Sequence, residues 1–292
     1  MIQAPPAAGS GTDHTAGAVR IRSAFANAGA SGRAALLPYV LAGYPDAHGG
    51  RAAAIAAIDA GADLLEIGLP YSDPLADGST LQRAAVRALA AGSRLHGSME
   101  LIAALHAARP ATPLVAMGYV NQISGGADGT RGVLSALAQA GASGLIVADL
   151  TPDEGAPYEI VASEFGLALV YLVSPTTPAS RRAAIAARSG GFLYAVSLLG
   201  VTGARVELAS GVGRFVRAAR AESPVPVAVG FGVSRPEHVR RLAADADGVV
   251  VASALIDALG PDGRDVPAMA KLLARLGAAT ARSTSREAEA RG

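Results

Sequence analysis

Glu66 is the most informative residue of the chain, because its neighbours fix which way it points. It stands in Asp63-Leu64-Leu65-Glu66-Ile67-Gly68, a short run with strand character. Successive side chains of a strand alternate between faces. Leu64, Glu66 and Gly68 therefore share one face, and Leu65 and Ile67 the other. The second face is wholly apolar and fits beneath helices, which turns Glu66 inward. Burial disfavours the charged form of a carboxyl and raises its pKa. Such a group is suited both to take and to give a proton. A buried ion pair would also account for it, since an inward carboxyl is costly without a partner or a purpose.

The next segment, Pro70-Tyr71-Ser72-Asp73-Pro74-Leu75-Ala76-Asp77-Gly78, reads as a loop. Asp77 lies eleven residues beyond Glu66 and brings a second carboxylate over the same end of the strand. From the loop alone, Asp73 and Asp77 are better explained as turn formers or helix caps. Asp149 closes another strand-like run just before Thr151-Pro152 and is assigned a structural part, as a cap or a tie between loops.

Other chemistries lack their residues. Lys271 is the only lysine and falls within the last helical pattern, so no amine stands at a strand end for Schiff-base work. The histidines (His14, His48, His96, His106 and His238) avoid strand ends, and no two have metal-ligand spacing. With no cysteine, disulfides, thiolate catalysis and Cys–metal sites are excluded. No metal site is expected. The net charge of +1, without a basic block, gives no sign of nucleic-acid or membrane-surface binding.

These carboxylates need elements to hold them. Eight strand-like runs, each followed by helix-like sequence, are Leu36–Leu41, Asp63–Gly68, Pro113–Gly118, Gly144–Asp149, Ala168–Val173, Phe192–Ser197, Val225–Gly230 and Gly248–Ala252. This is the pattern of an α/β protein built as a (β/α)8 TIM barrel, which typically needs about 250 residues. The 292 residues suit one such barrel, preceded by an extra N-terminal helix. Near-continuous apolar runs fit strands covered on both faces. Thr151-Pro152-Asp153-Glu154 and Ser234-Arg235-Pro236-Glu237 read as capping boxes opening helices. An open doubly wound sheet is the rival, but Ala42-Gly43-Tyr44-Pro45 is not a dinucleotide fingerprint. The division is a disordered tail over 1–16, a barrel over 17–282 and a disordered tail over 283–292. There is neither an apolar run of transmembrane length nor a signal-peptide pattern, and the expected location is the cytoplasm.

Glycines mark the last three loops. Gly200-Val201-Thr202-Gly203 follows the sixth run, Gly230-Phe231-Gly232-Val233-Ser234 the seventh and Ala252-Ser253-Ala254 the eighth. Backbone N–H groups in these loops of a barrel form its common phosphate site; plain turns after strands are the alternative. The residues alone thus describe a phosphate-binding barrel with carboxylate acid/base chemistry and leave the substrate unnamed.

The string Leu-Glu-Ile-Gly-Leu-Pro-Tyr-Ser-Asp-Pro-Leu-Ala-Asp-Gly over 65–78, running on to Gln82, resembles the signature of the tryptophan synthase α chain family. Leu37–Pro45, Leu145–Leu150, Gly200–Ala204 and Gly230–Ser234 agree in order and spacing, so the likeness covers residues 36 to about 257. The resemblance implies a lyase of tryptophan biosynthesis that cleaves indole-3-glycerol phosphate by a retro-aldol step into indole and glyceraldehyde 3-phosphate. It makes Glu66 the acid/base and Asp77 the group that stabilises positive charge at the indole nitrogen. Tyr194 falls near the glyceryl end; Phe231, Met117, Ile146 and Leu81 line an indole pocket. Gly203, Gly232, Ala252 and Ser253 fall at the phosphate loops.

The resemblance also implies an αββα heterotetramer in which indole passes to a β chain. Pyridoxal phosphate belongs to that partner, and no cofactor is expected in this chain. Asp73, Pro74 and Thr202 fall in the loops that close and contact the partner. The chain departs from the pattern at Leu41, Leu198, Leu199 and Ala252, where a Thr, a more polar pair and a Gly are common. These changes bear on affinity and loop dynamics rather than on Glu66 or Asp77. A stand-alone indole-3-glycerol phosphate lyase would share the same chemistry without the partner. A non-catalytic activator of the β chain is opposed by the intact carboxylates.

Overall fold

The computed structural model describes residues 11–125, 128–196, 211–230 and 232–282. Its strands are β1 (Ala35–Leu41), β2 (Leu65–Gly68), β3 (Leu114–Gly118), β4 (Gly144–Val147), β5 (Ala168–Val170), β6 (Leu172–Val173), β7 (Leu193–Val196), β8 (Val227–Gly230) and β9 (Gly248–Val251). All pairings are parallel, in the order β5-β4-β3-β2-β1-β9-β8-β7-β6. The two ends of that order, β5 and β6, are halves of the single run expected over 168–173. They are parted at Tyr171, whose N–H goes to Ser189 Oγ (3.0 Å) while its carbonyl accepts from Tyr194 N (3.0 Å). The sheet thus closes into a barrel of eight staves, one of them interrupted.

Several runs are shorter than expected at their ends. Asp63 falls outside β2 because its carboxylate accepts from Leu36 N (2.8 Å) and pairs with Arg33 (2.7 Å). Asp149 falls outside β4 because it accepts from Val120 N (2.8 Å), tying two loops together as assigned.

The helices are α1 (Ala16–Ala30), α2 (Ala47–Asp59), α3 (Ser79–Ala90), α4 (Leu95–Ala108), α5 (Val120–Ser124), α6 (Gly129–Gln139), α7 (Pro152–Glu164), α8 (Ala179–Arg188), α9 (Val212–Glu222), α10 (Pro236–Ala243), α11 (Ser253–Ala258) and α12 (Val266–Ala278). None of these is long and apolar enough to cross a membrane. Prolines open α7 and α10 as expected, but the capping boxes do not form. Thr151 reaches the Glu154 side chain (3.5 Å) rather than a backbone N–H, and the N-cap of α10 is Arg235, one residue past Ser234.

Side-chain alternation divides the core in two. Leu65 and Ile67 pack outward with the helices, whereas Leu37, Leu64, Val115, Ile146, Val170 and Val250 fill the barrel. The extra helix α1 closes the N-terminal end by adding Ile21 and Phe25 to this inner cluster. Phe25 meets Phe192 at 5.6 Å, and Phe192 meets Tyr194 at 6.1 Å, so a column of rings climbs from the plug towards the opposite mouth.

The plug begins earlier than the tail boundary at residue 16 allows. Thr12 is fully buried and accepts from Leu169 N (2.7 Å), and Asp13 accepts from Gly191 N (3.0 Å). Residues 1–10 and 283–292 of the expected tails lie outside the described residues.

Two glycines of α1 separate close packing from helix propensity. A Cβ on Gly17 would stand 1.8 Å from the Ser143 carbonyl oxygen, whereas one on Gly29 meets nothing within 4 Å. Gly17→Ala is expected to lower the unfolding free energy by at least about 1–3 kcal/mol, the cost of overpacking against a backbone that cannot yield. Gly29→Ala is expected to raise it by about 0.5–1 kcal/mol by removing a flexible residue from a helix. Urea unfolding of the two variants checks both signs.

Candidate active site

β2 places Glu66 between Tyr39 of β1 and Val115 of β3, its register partners. Glu66 is 0% exposed. Among the described residues it joins no ion pair, and neither carboxyl oxygen has a hydrogen-bond partner. The buried-ion-pair reading is therefore set aside, and burial alone pushes this carboxyl well above the usual carboxylate range.

Two phenols share its surroundings. Tyr39 and Tyr194 are both buried, and each hydroxyl reaches over a glycine at the end of the next stave. A Cβ on Gly68 would lie 1.8 Å from Tyr39 Oη, and one on Gly230 would lie 2.7 Å from Tyr194 Oη. Burial, followed by nearby negative charge, raises both phenols well above their ordinary range, so both hydroxyls stay protonated. For Tyr194 the largest charge contribution comes from Glu66, and for Tyr39 from Asp77.

Asp77 is held from the end of the third stave. Tyr119 Oη accepts from Ala76 N (3.2 Å) and donates to the Asp77 carboxylate. The Tyr119 ring stacks on Tyr71 at 5.2 Å, and Asn121 Nδ2 donates to Tyr71 Oη (3.2 Å). Gln122 closes the clamp: Nε2 donates to Pro70 O (2.9 Å) and Oε1 accepts from Tyr119 N (3.2 Å). Burial raises Asp77 to about 6, against the Tyr119 hydrogen bond, which favours the ionised form. Asp77 is thus no cap, since Gly78 occupies the N-cap of α3.

Met117 and Ile146 are register partners that pack in the inner cluster with Tyr194. Leu81, near the start of α3, is buried in the strand–helix core that also holds Tyr39. Gly232 is exposed at φ +55° just past β8. Ala252 and Ser253 open α11 directly after β9, the stave next to β8. Asp73 is exposed, Pro74 O accepts from Asp77 N (3.0 Å), and Leu75 between them and Asp77 is 80% exposed. Phe231, Thr202, Gly203, Leu198 and Leu199 lie outside the described residues. Among the described residues no group of three His, Asp or Glu side chains could hold a metal ion.

Residues 25–283 match the family described as Tryptophan synthase alpha chain. This chain belongs to the tryptophan synthase alpha chain family. It is 47% identical over 240 residues to the tryptophan synthase alpha chain of Roseiflexus castenholzii, covering 82% of this chain and 91% of that one. Its fold is similar to a chain of Mycobacterium tuberculosis tryptophan synthase, with a TM-score of 0.83 and 36% identity over 90% of this chain and 99% of the other. A tryptophan synthase alpha chain from Legionella pneumophila superposes with a TM-score of 0.80 at 31% identity, over 89% and 97%. The family's signature string is the segment that here carries Glu66, Asp77 and the clamped loop.

Sequence reasoning missed three residues of this arrangement. Tyr119 directly follows the C-terminal end of β3, where a parallel barrel gathers its catalytic groups, and that rule would have found it. Tyr39 lies on the inward period of its strand, between Leu37 and Leu41. Gln122 had no signal, because its role depends on where the loop carbonyls fall.

A carboxyl raised by burial weakens the fold as pH rises. Below the ordinary carboxylate pKa, native and unfolded chains both hold the proton. Above it the unfolded chain ionises freely while Glu66 does not, and stability falls by up to about 1.4 kcal/mol per pH unit until the native group ionises too. Glu66→Gln is therefore expected to melt above the parent at pH 8, with a gap that narrows towards pH 5. A gap independent of pH would contradict the assignment.

Proposed function

We propose that this chain is the α subunit of a tryptophan synthase, cleaving indole-3-glycerol phosphate to indole and glyceraldehyde 3-phosphate and passing indole to a β chain. The observation that carries this reading is the pairing of an unpartnered buried carboxyl, Glu66, with a clamped, readily ionised one, Asp77, in one barrel mouth. Burial favours the protonated form of Glu66, which gives its proton to indole C3. The ring nitrogen becomes positive, and ionised Asp77 faces that charge. The Glu66 carboxylate then takes the proton of the hydroxyl on the carbon attached to C3. The O–H electrons become the aldehyde π bond, the C–C bond breaks, and its electrons return to the ring and neutralise the nitrogen. Glu66 ends protonated, as it began.

Met117, Ile146, Leu81 and Phe231 supply an apolar wall for the indole, and Tyr194 meets the glyceryl end. The phosphate falls to Gly203, Gly232, Ala252 and Ser253; at the last two, backbone N–H groups at the start of a helix favour an anion without Lys or Arg. The exposed loop with Asp73, Pro74 and Leu75 is assigned to contact with the β chain, and Thr202 is assigned the same role by family resemblance alone. The stand-alone lyase reading differs only in needing no partner.

Indole release from indole-3-glycerol phosphate, with and without a tryptophan synthase β chain, tests the reading. Weak activity that rises with the β chain, and falls by about 10²–10⁴-fold in Glu66→Gln, is expected from loss of an acid/base group. Strong activity without a partner would favour the stand-alone lyase, and none in either condition would refute both. The pH profile tests Asp77 separately. Because the ionised form is required, kcat/KM should fall as pH drops through about 6. Tyr119→Phe removes a hydrogen bond that favours ionisation, so it should move this limb to higher pH; a limb that stays put would remove Tyr119 from the site.

A further inference from the structure

In the reaction proposed above, Glu66 is briefly a carboxylate inside an apolar barrel, and the described residues give it no hydrogen-bond donor. An ionised carboxyl in such a place needs a donor to persist. Two hydroxyls are placed to serve. Tyr194 already has a place at the glyceryl end by family resemblance; Tyr39 has none.

The geometry of Tyr39 is specific. It is the Cα register partner of Glu66 on the adjacent stave, so both side chains leave neighbouring strands at the same level and point into the barrel. Its ring climbs one level further, and its hydroxyl comes to rest where a Cβ of Gly68 would be, two residues beyond Glu66. Gly68 leaves that space open. The side chain is 4% exposed, yet the hydroxyl makes no hydrogen bond with any described residue. It is a protonated donor whose ionisable neighbours are Asp77, Tyr119 and Glu66.

We propose that Tyr39 is a positioning residue for Glu66, its hydroxyl donating a hydrogen bond to the Glu66 carboxylate in the interval between the two proton transfers. The phenol keeps its own proton throughout, so no atom is gained or lost at Tyr39. The hydrogen bond holds the carboxylate towards the glyceryl hydroxyl that it must deprotonate. The contact exists only while Glu66 is charged, so it acts on turnover more than on binding.

The inference rests on the proposed aldolase activity, and the two fail differently. If the activity reading is wrong, the parent chain with β chain releases no indole. If only the role of Tyr39 is wrong, the parent is active and Tyr39→Phe behaves like it. Indole release by the complex with β chain should show kcat lowered on the order of 10-fold or more in Tyr39→Phe, the scale of one hydrogen bond to a charged group. KM should stay within about twofold. Removing a donor disfavours the charged carboxyl, so Glu66 should ionise at a higher pH than in the parent. The carboxyl band of Glu66, assigned by its loss in Glu66→Gln and followed by infrared difference titration, should show that shift. Unchanged kcat with an unchanged titration overturns the proposal, as does a raised KM with unchanged kcat, which would make Tyr39 a pocket wall only. Should Tyr39→Phe fold poorly, fluorination of the tyrosine rings with Tyr39 as the only altered site keeps the shape and makes the hydroxyl a stronger donor. The Glu66 titration must then move to lower pH, and its failure to move sinks the proposal.

Discussion

A carboxyl enclosed by apolar staves and left without a hydrogen bond is a costly thing to fold around, and the rest of this chain is arranged so that Glu66 stays that way. The walls beside it come from side chains that the strand period turns inward, such as Val115, Met117 and Ile146. The floor comes from α1, whose Ile21 and Phe25 close the far end of the barrel. Without that plug the inner cluster would open to water, and the carboxyl would be solvated from below.

The carboxylates at the other end of the barrel make the contrast plain. Asp63, ahead of β2, and Asp247, ahead of β9, each accept a strand N–H and pair with arginine: Arg33 for the first, Arg220 and Arg282 for the second. Asp13 pairs with Arg22 and takes the N–H of Gly191. Every one of these groups is satisfied, and together they hold helices and strand ends in place. Glu66, three residues past Asp63 and within β2, has no such partner. In a parallel barrel the N-terminal rim serves stability, and the partnered carboxylates at that rim fit this part.

Asp77 reaches its place by a different route. It is carried on a loop, yet that loop is fixed by the third stave and α5 through Tyr119, Asn121 and Gln122. The clamp uses backbone carbonyls and a ring stack, interactions that do not care about the loop's side chains at Ser72, Asp73 or Leu75. Those residues remain exposed and free to meet another surface. Asp77, partly exposed and beside a phenol that favours its ionised form, is raised to about 6, whereas burial alone acts on Glu66, so environment rather than type sets the two acids apart.

The sequence by itself determined the barrel, the inward turn of Glu66 and the family, because each rests on local patterns: a period of two in short apolar runs, helix breaks after them, and one long signature string. It also assigned Asp149 a structural part, as a cap or a tie between loops, and the fold decided for the tie. What the sequence left open were matters of partnership. Whether Glu66 had an ion-pair partner depended on every stave at once. The capping boxes at Thr151 and Ser234 failed because caps are decided by backbone angles at the helix start, which tertiary packing sets. The break of the fifth stave at Tyr171 needed the position of Ser189, eighteen residues on. Tyr39, Tyr119 and Gln122 became visible only when folding brought three neighbouring staves and one loop to a common rim, because a hydroxyl or amide has no role until its acceptor is in place.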